Sequence, residues 1–307
     1  DPEGVPATVS TPILTGVLRK ELGFHGLIVT DAMDMQGLAK QFPSGIASVR
    51  SLEAGADVLL MPPDPEVAIR AVLAAIKSGK LTRKRIDQSA LKILTAKARL
   101  GLNRSKLVDL DALSDALDSP DAAARAQDIA DRAVTLVKDD KHLLPLDPAG
   151  KPCLVLLTEA RYSQAGRVLN REARRRAPDM PITRVDPTMT AGELDQIARD
   201  TATCGVVVAA AFVSVALGGN MGGLVTSLMN GPQAVVLIAL GSPYLLRSFP
   251  NVAAYLTTYS TAPTSEVAAV KAMFGEIPIT GRLPVTIPGL AKYGDGLERA
   301  KGPIRQW

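Results

Sequence analysis

Cysteine, histidine and aromatic residues are all scarce in this 307-residue chain, and each shortage closes off a class of chemistry. Cys153 and Cys204 are the two cysteines. Each lies in or beside an apolar run, Cys-Leu-Val-Leu-Leu and Cys-Gly-Val-Val-Val, without metal-ligand spacing, so buried free thiols are expected rather than a disulfide. With His25 and His142 as the sole histidines, no zinc site and no cofactor are expected. A nucleic-acid binder interleaves a basic face with aromatics, and at 4% aromatic residues no nucleic-acid partner is expected. No apolar run reaches the roughly 18 residues of a membrane span. The longest candidate, Val206 to Leu217, has the length of a strand plus a loop. The opening Asp-Pro-Glu-Gly shows no basic, apolar leader, so any targeting signal is expected to be absent from this sequence.

What is present describes a well-filled α/β protein. Apolar residues make up 47% and charged residues 21%, enough for a sizeable core, and 307 residues exceed the usual size of a single one, so two units are expected. The net charge of +4 is spread along the chain apart from Arg171, Arg174, Arg175 and Arg176, read as a solvated helix face.

Apolar spacing over Thr11 to Leu22 predicts an amphipathic helix stopped by Gly23, and Gly26 to Thr30 predicts a short parallel strand, covered on both faces, that delivers Asp31. A helix at Ile46 to Glu53, a strand at Ala56 to Met61, and helices at Pro65 to Ser78 and Arg83 to Leu100 continue the βα alternation. Asn103 to Pro120 reads as a connection, and Asp121 to Val134 as a helix leading into Thr135-Leu136-Val137. Strands are predicted at Cys153 to Leu157, Ile182 to Val185, Gly205 to Phe212, Ala234 to Leu240 and Ala253 to Tyr259. Helices are predicted at Tyr162 to Arg176, Ala191 to Thr201 and Ser265 to Phe274, which together make an open α/β sandwich with a mostly parallel sheet. Gly218-Gly219-Asn220-Met221-Gly222-Gly223 lacks the context of a dinucleotide fingerprint and is read as a flexible strand-end loop.

The chemistry concentrates at Asp31. A carboxylate just after an apolar parallel strand stands where β/α barrels keep catalytic groups, at the C-terminal mouth. Retaining glycosidases need an ionised carboxylate about 5 Å from a proton donor, and an ordinary aspartate is ionised at neutral pH. The competing reading is a strand-end aspartate that caps the next helix. Asp34 is expected to bond locally or cap a turn. Met33 is a candidate lining residue of a sugar site, with core filler as its alternative. His25 precedes the strand and lies at the end away from the chemistry; His142 is read as surface or interface.

Gly-Phe-His-Gly-Leu-Ile-Val-Thr-Asp-Ala-Met-Asp-Met, residues 23–35, resembles the nucleophile motif of family 3 glycoside hydrolases, with Asp31 matching the nucleophile. Residues 54–62 are similar to the family's eighth barrel strand, and Phe274-Gly275-Glu276-Ile277-Pro278 with Gly281-Arg282-Leu283-Pro284-Val285 to the close of its sandwich domain. The resemblance implies the last βα units of a (β/α)8 barrel over residues 1–103, a linker and connecting helix over 104–134, and an α/β sandwich domain over 135–307. It also implies a retaining enzyme of the β-N-acetylglucosaminidase branch. Its substrate would be a carbohydrate containing N-acetylglucosamine, such as a peptidoglycan fragment. The alternatives are a β-glucosidase-type enzyme of the same family and a non-catalytic sugar- or partner-binding module.

In the acetamido-sugar branch the acid/base is a histidine on an earlier barrel loop, which neither His25 nor His142 matches. In the glucosidase branch it is a glutamate of the second domain, and none of Glu159, Glu172, Glu193, Glu266 and Glu276 carries a convincing motif. Two barrel strands cannot close a sheet. The chain is therefore expected to be one piece, cleaved, split or truncated, of a longer polypeptide whose N-terminal barrel segment is its partner, and the piece alone is expected to be inactive. The sequence does not fix a compartment, with a secreted or cell-envelope setting favoured over the cytoplasm.

Overall fold

The structure is a computed structural model that describes all residues except 2–3, 114–116, 118, 214–216 and 303–307. The chain divides into two compact units, Asp1–Leu113 and Ser114–Trp307. The middle of the expected connection, residues 114–116 and 118, lies outside the described residues, as do residues 214–216 of the long apolar run.

In the first unit β1 (Val29–Ala32) pairs in parallel with β2 (Val58–Leu60), and α1 (Gln36–Ala39), α2 (Ser44–Ala54), α3 (Pro65–Lys77) and α4 (Arg83–Arg99) follow in βα alternation. Asp64 and Thr82 cap α3 and α4, accepting from the N–H groups of Val67 and Arg85. The segment Pro12–Glu21 is π-helical rather than α-helical, with Leu22 N–H donating to Val17 O at 2.9 Å. The first strand starts later than Gly26 and contains Asp31. The Arg19 guanidinium takes the carbonyls of Phe24 and Gly26, which removes them from any ladder. One face of the pair is packed: Leu14, Ile28, Ala54 and Ala56 form one cluster, and Val49, Leu52, Ala75 and Leu81 another under Leu59. The opposite face leaves Val29 51% and Leu60 43% exposed, so the expected cover on both faces is not met by the described residues of this unit.

The second unit is a three-layer α/β/α sandwich. Its strands are β3 (Thr135–Asp139), β4 (Pro152–Thr158), β5 (Ile182–Val185), β6 (Val206–Val213), β7 (Ala234–Gly241) and β8 (Ala254–Thr257), in the spatial order β3-β8-β7-β6-β4-β5. All neighbours are parallel except β3 against β8. Strand alternation sorts the side chains into two cores. Leu154, Leu156, Val208, Ala210, Val236 and Ile238 pack against α5 (Pro120–Ala133), α6 (Arg167–Arg176) and α9 (Pro263–Met273). Val155, Leu157, Val207, Ala209, Val235 and Leu237 pack against α7 (Ala191–Asp200) and α8 (Met221–Met229). Both faces of the central strands are sealed, which is why they read as unbroken apolar runs.

Three expectations are corrected here. The glycine-rich stretch is a loop only as far as Asn220, after which Met221 starts α8. Gly222 and Gly223 each cost about 1 kcal/mol in a helix, but Met221, Leu224, Val225 and Leu228 are buried on the sheet, and their packing outweighs it. The arginine cluster is only partly a solvated face. Arg171, Arg174 and Arg175 are exposed, whereas Arg176 is partly buried and paired with Glu172 and Glu276.

The cysteines are not free: Cys153 and Cys204 form a disulfide, with Cα atoms 5.8 Å apart. Strand β4 lies beside β6 with Cys153 in register with Val207, and Gly205 N–H donates to Lys151 O at 3.0 Å. A Cβ on Gly205 would stand 2.0 Å from Gly150 O, so glycine is required where the turn before β6 meets the turn before β4. The partners are 51 residues apart in sequence, and strand pairing alone makes them neighbours.

Candidate active site

Asp31 sits near the C-terminal end of β1, on the face that also exposes Val29. The buried Thr30 fixes its height: Thr30 Oγ1 accepts from Leu60 N–H at 2.9 Å, and Met33 N–H donates to Leu60 O at 3.0 Å. An irregularity in the ladder between Val29 and Ala32 shifts the register at this point. The carboxylate is exposed, and its Oδ1 accepts from the adjacent Ala32 N–H at 2.8 Å. It caps no helix, because α1 begins after Met35 without a side-chain cap. Asp34 is exposed in the following turn.

Met33 is withdrawn from the candidate site. It is 1% exposed and packs with Val9, Leu38 and Ala47, so it serves the core. The rim instead presents Met35 and Met61, both exposed. Met61 has φ 47°, a left-handed conformation uncommon for a residue other than glycine, immediately after β2 and before Pro62-Pro63. The Met-Pro-Pro wording was the available signal for it.

Sequence reasoning also missed the electrostatic centre of this unit. Asp57, just before β2, is buried and accepts from Ile28 N–H at 3.1 Å, Ser89 Oγ at 2.6 Å, Arg19 Nη2 at 2.7 Å and Lys92 Nζ at 3.2 Å. Arg85 stands 3.6 Å away and donates to Ala56 O. Burial works to raise the Asp57 pKa, but the bonds from Ser89, Ile28 N–H and Lys92 outweigh it and hold the carboxyl below its ordinary value. One carboxylate thus ties the π-helical segment, β1, β2 and α4 together.

The second-unit glutamates are held by structural partners. Glu193 forms a capping box with Thr190 at the start of α7. Glu172 and Glu276 bind Arg176. Glu266 is 3% exposed and accepts from the N–H groups of Gly166 and Leu169 at 3.2 and 2.6 Å, so it caps α6 from the first turn of α9. Glu159 is exposed.

Burial raises the Glu266 pKa despite these bonds. The folded state therefore holds this proton more tightly than the unfolded chain. The stabilisation is complete below the ordinary glutamate pKa and is lost as pH rises through the raised folded value. Glu266→Gln should accordingly flatten the fall in thermal midpoint between mildly acid and neutral pH; a slope unchanged from wild type would show that Glu266 does not titrate in this way.

His25 and His142 are both exposed, and His142 Nδ1 lies 3.3 Å from an Arg299 nitrogen. Among the described residues no group of three or more His, Cys, Asp and Glu is placed to hold a metal, and no helix is long and apolar enough to cross a membrane.

The fold is a mixed α/β fold with a mostly parallel sheet, and it matches solved structures of sugar-acting enzymes. A β-N-acetylglucosaminidase from Paenibacillus sp. str. FPU-7, of glycoside hydrolase family 3, superposes with a TM-score of 0.81 at 25% identity over 94% of this chain and 56% of that one. Residues 1–96 match the family model described as the glycosyl hydrolase family 3 N terminal domain. A β-N-acetylglucosaminidase/β-glucosidase of Cellulomonas fimi is 26% identical over 93% of this chain and 53% of its own length. A β-xylosidase of Formosa agariphila is 32% identical over 48% of this chain and 21% of its length. The chain is similar to the family 3 glycoside hydrolases, over residues 1–96 by the family model and over nearly its whole length by the Cellulomonas and Paenibacillus proteins. It spans about half the length of the Cellulomonas relative and of the Paenibacillus structure.

Proposed function

We propose that this chain supplies the nucleophile of a retaining glycosidase acting on terminal β-linked N-acetylglucosamine, with Asp31 attacking the anomeric carbon. The observation that carries this reading is the exposed, uncapped carboxylate at the end of a parallel strand, on the sheet face that the described residues leave open. Attack by Asp31 forms a glycosyl ester as the leaving oxygen takes a proton, and water then cleaves the ester with net retention. The Cellulomonas and Paenibacillus proteins, both named as β-N-acetylglucosaminidases, support the acetamido sugar.

The proton donor in this reading belongs to an N-terminal barrel segment that completes β1 and β2 into a (β/α)8 barrel. Val29 and Leu60, exposed on the open face, are the apolar surface such strands would cover. Among the second-unit candidates, Glu172, Glu193, Glu266 and Glu276 are each engaged in caps or ion pairs, which speaks against these four as donors.

A β-glucosidase or β-xylosidase preference is the second reading, favoured by the Formosa relative and by the double name of the Cellulomonas one. A mechanism-based fluorosugar, incubated with the longer protein, tests the assignment by peptide mass analysis. The expected label is on Asp31. A label on any other residue removes Asp31 from its role, and the sugar series that labels fastest separates the two substrate readings.

A further inference from the structure

We infer that this chain reaches its working form in an oxidising compartment, where closure of the Cys153–Cys204 disulfide clamps the N-terminal edges of β4 and β6. Both cysteines of the sequence are consumed in this single bond. They are 5% and 8% exposed, at the edge where the turn Lys151-Pro152 and the turn Cys204-Gly205 are already joined by the hydrogen bond to Lys151 O. The pairing therefore follows from the register of two central strands and not from the mobility of a surface loop.

Such a cross-link persists where thiols are oxidised and is rare where glutathione and thioredoxin keep them reduced. In forming it, the two thiols lose two protons and two electrons as the Sγ–Sγ bond is made, and a partner disulfide of the oxidising machinery takes them up and becomes a dithiol. The bond closes a stretch of 51 residues containing β5 and α7, a span long enough for the constraint on the unfolded chain to be large. The inference does not rest on Asp31, and its test does not involve sugar hydrolysis.

The experiment compares the full chain exported to a bacterial periplasm with the same chain made in a reducing cytosol. Each is denatured in an alkylating agent without reductant and weighed intact. The exported chain is expected to take up no alkyl group, and two after treatment with a dithiol, while the cytosolic chain takes up two at once. The exported form should melt about 10 °C above both its own dithiol-treated form and the Cys153→Ser/Cys204→Ser variant, and that variant should be indifferent to dithiol. Two alkyl groups on the unreduced exported chain would overturn the inference. So would a double variant that melts with the oxidised wild type, or complete oxidation of the cytosolic chain.

Discussion

Asp31→Asn in the longer protein should lower kcat/KM on an aryl β-N-acetylglucosaminide by about 10⁴-fold or more, some 5 kcal/mol of transition-state stabilisation. The amide keeps the shape of the side chain but cannot form the glycosyl ester, so the loss should fall on the chemical step. Thermal stability should barely move, because the carboxylate is exposed and accepts its hydrogen bond from the next residue's N–H. A second variant, Asp31→Gly, should regain turnover with added azide, which enters from the vacated face and gives product of inverted configuration. Activity within tenfold of wild type in Asp31→Asn would end the nucleophile reading, whereas a collapse of the melting temperature would recast Asp31 as a structural residue.

Asp57→Ala should destabilise the first unit by about 1–3 kcal/mol, the cost of leaving the buried Ile28 N–H and Ser89 hydroxyl without their acceptor. Arg19, Arg85 and Lys92 all converge on this carboxylate, and Ile28 N–H would lose its acceptor just before the strand that carries Asp31. Because the folded pKa of Asp57 is depressed, its stabilisation is present above the unfolded value and is lost as pH falls through the folded one. Asp57→Asn should therefore remove part of the acid limb of the unfolding profile, the opposite of the behaviour expected at Glu266. Amide exchange at Ile28, Val58 and Leu60 reads the first unit directly. Unchanged protection of these three amides in Asp57→Ala would show that the cluster is an ornament of the surface rather than the tie between helices and strands.

The two carboxylates contrast in how they could be found. Asp31 stands in a run of residues that announces a parallel strand and its exit, so its position was legible from the chain alone. Asp57 stands in an equally apolar run, but its partners come from residues 19, 28, 85, 89 and 92, and no local pattern joins them. Glu266 was noticed as a helix-start glutamate, yet the helix it caps begins a hundred residues earlier at Gly166. The α8 helix was hidden for another reason: two glycines in its first turn spoke against a helix, and only the buried face of Met221, Leu224, Val225 and Leu228 overrides them.

The chain by itself determined the periodicity of its strands and helices, the mostly parallel sheet of the second unit, and the carboxylate at the end of its first strand. Those are local or repeating features, set by which side chains prefer to be buried and at what spacing. Tertiary structure alone decided that Cys153 meets Cys204, that Arg176 is held between two glutamates, that Met33 faces the core and that three cations share Asp57. Each depends on residues far apart in sequence arriving at one point, and strand register and helix packing, not composition, choose the meeting place.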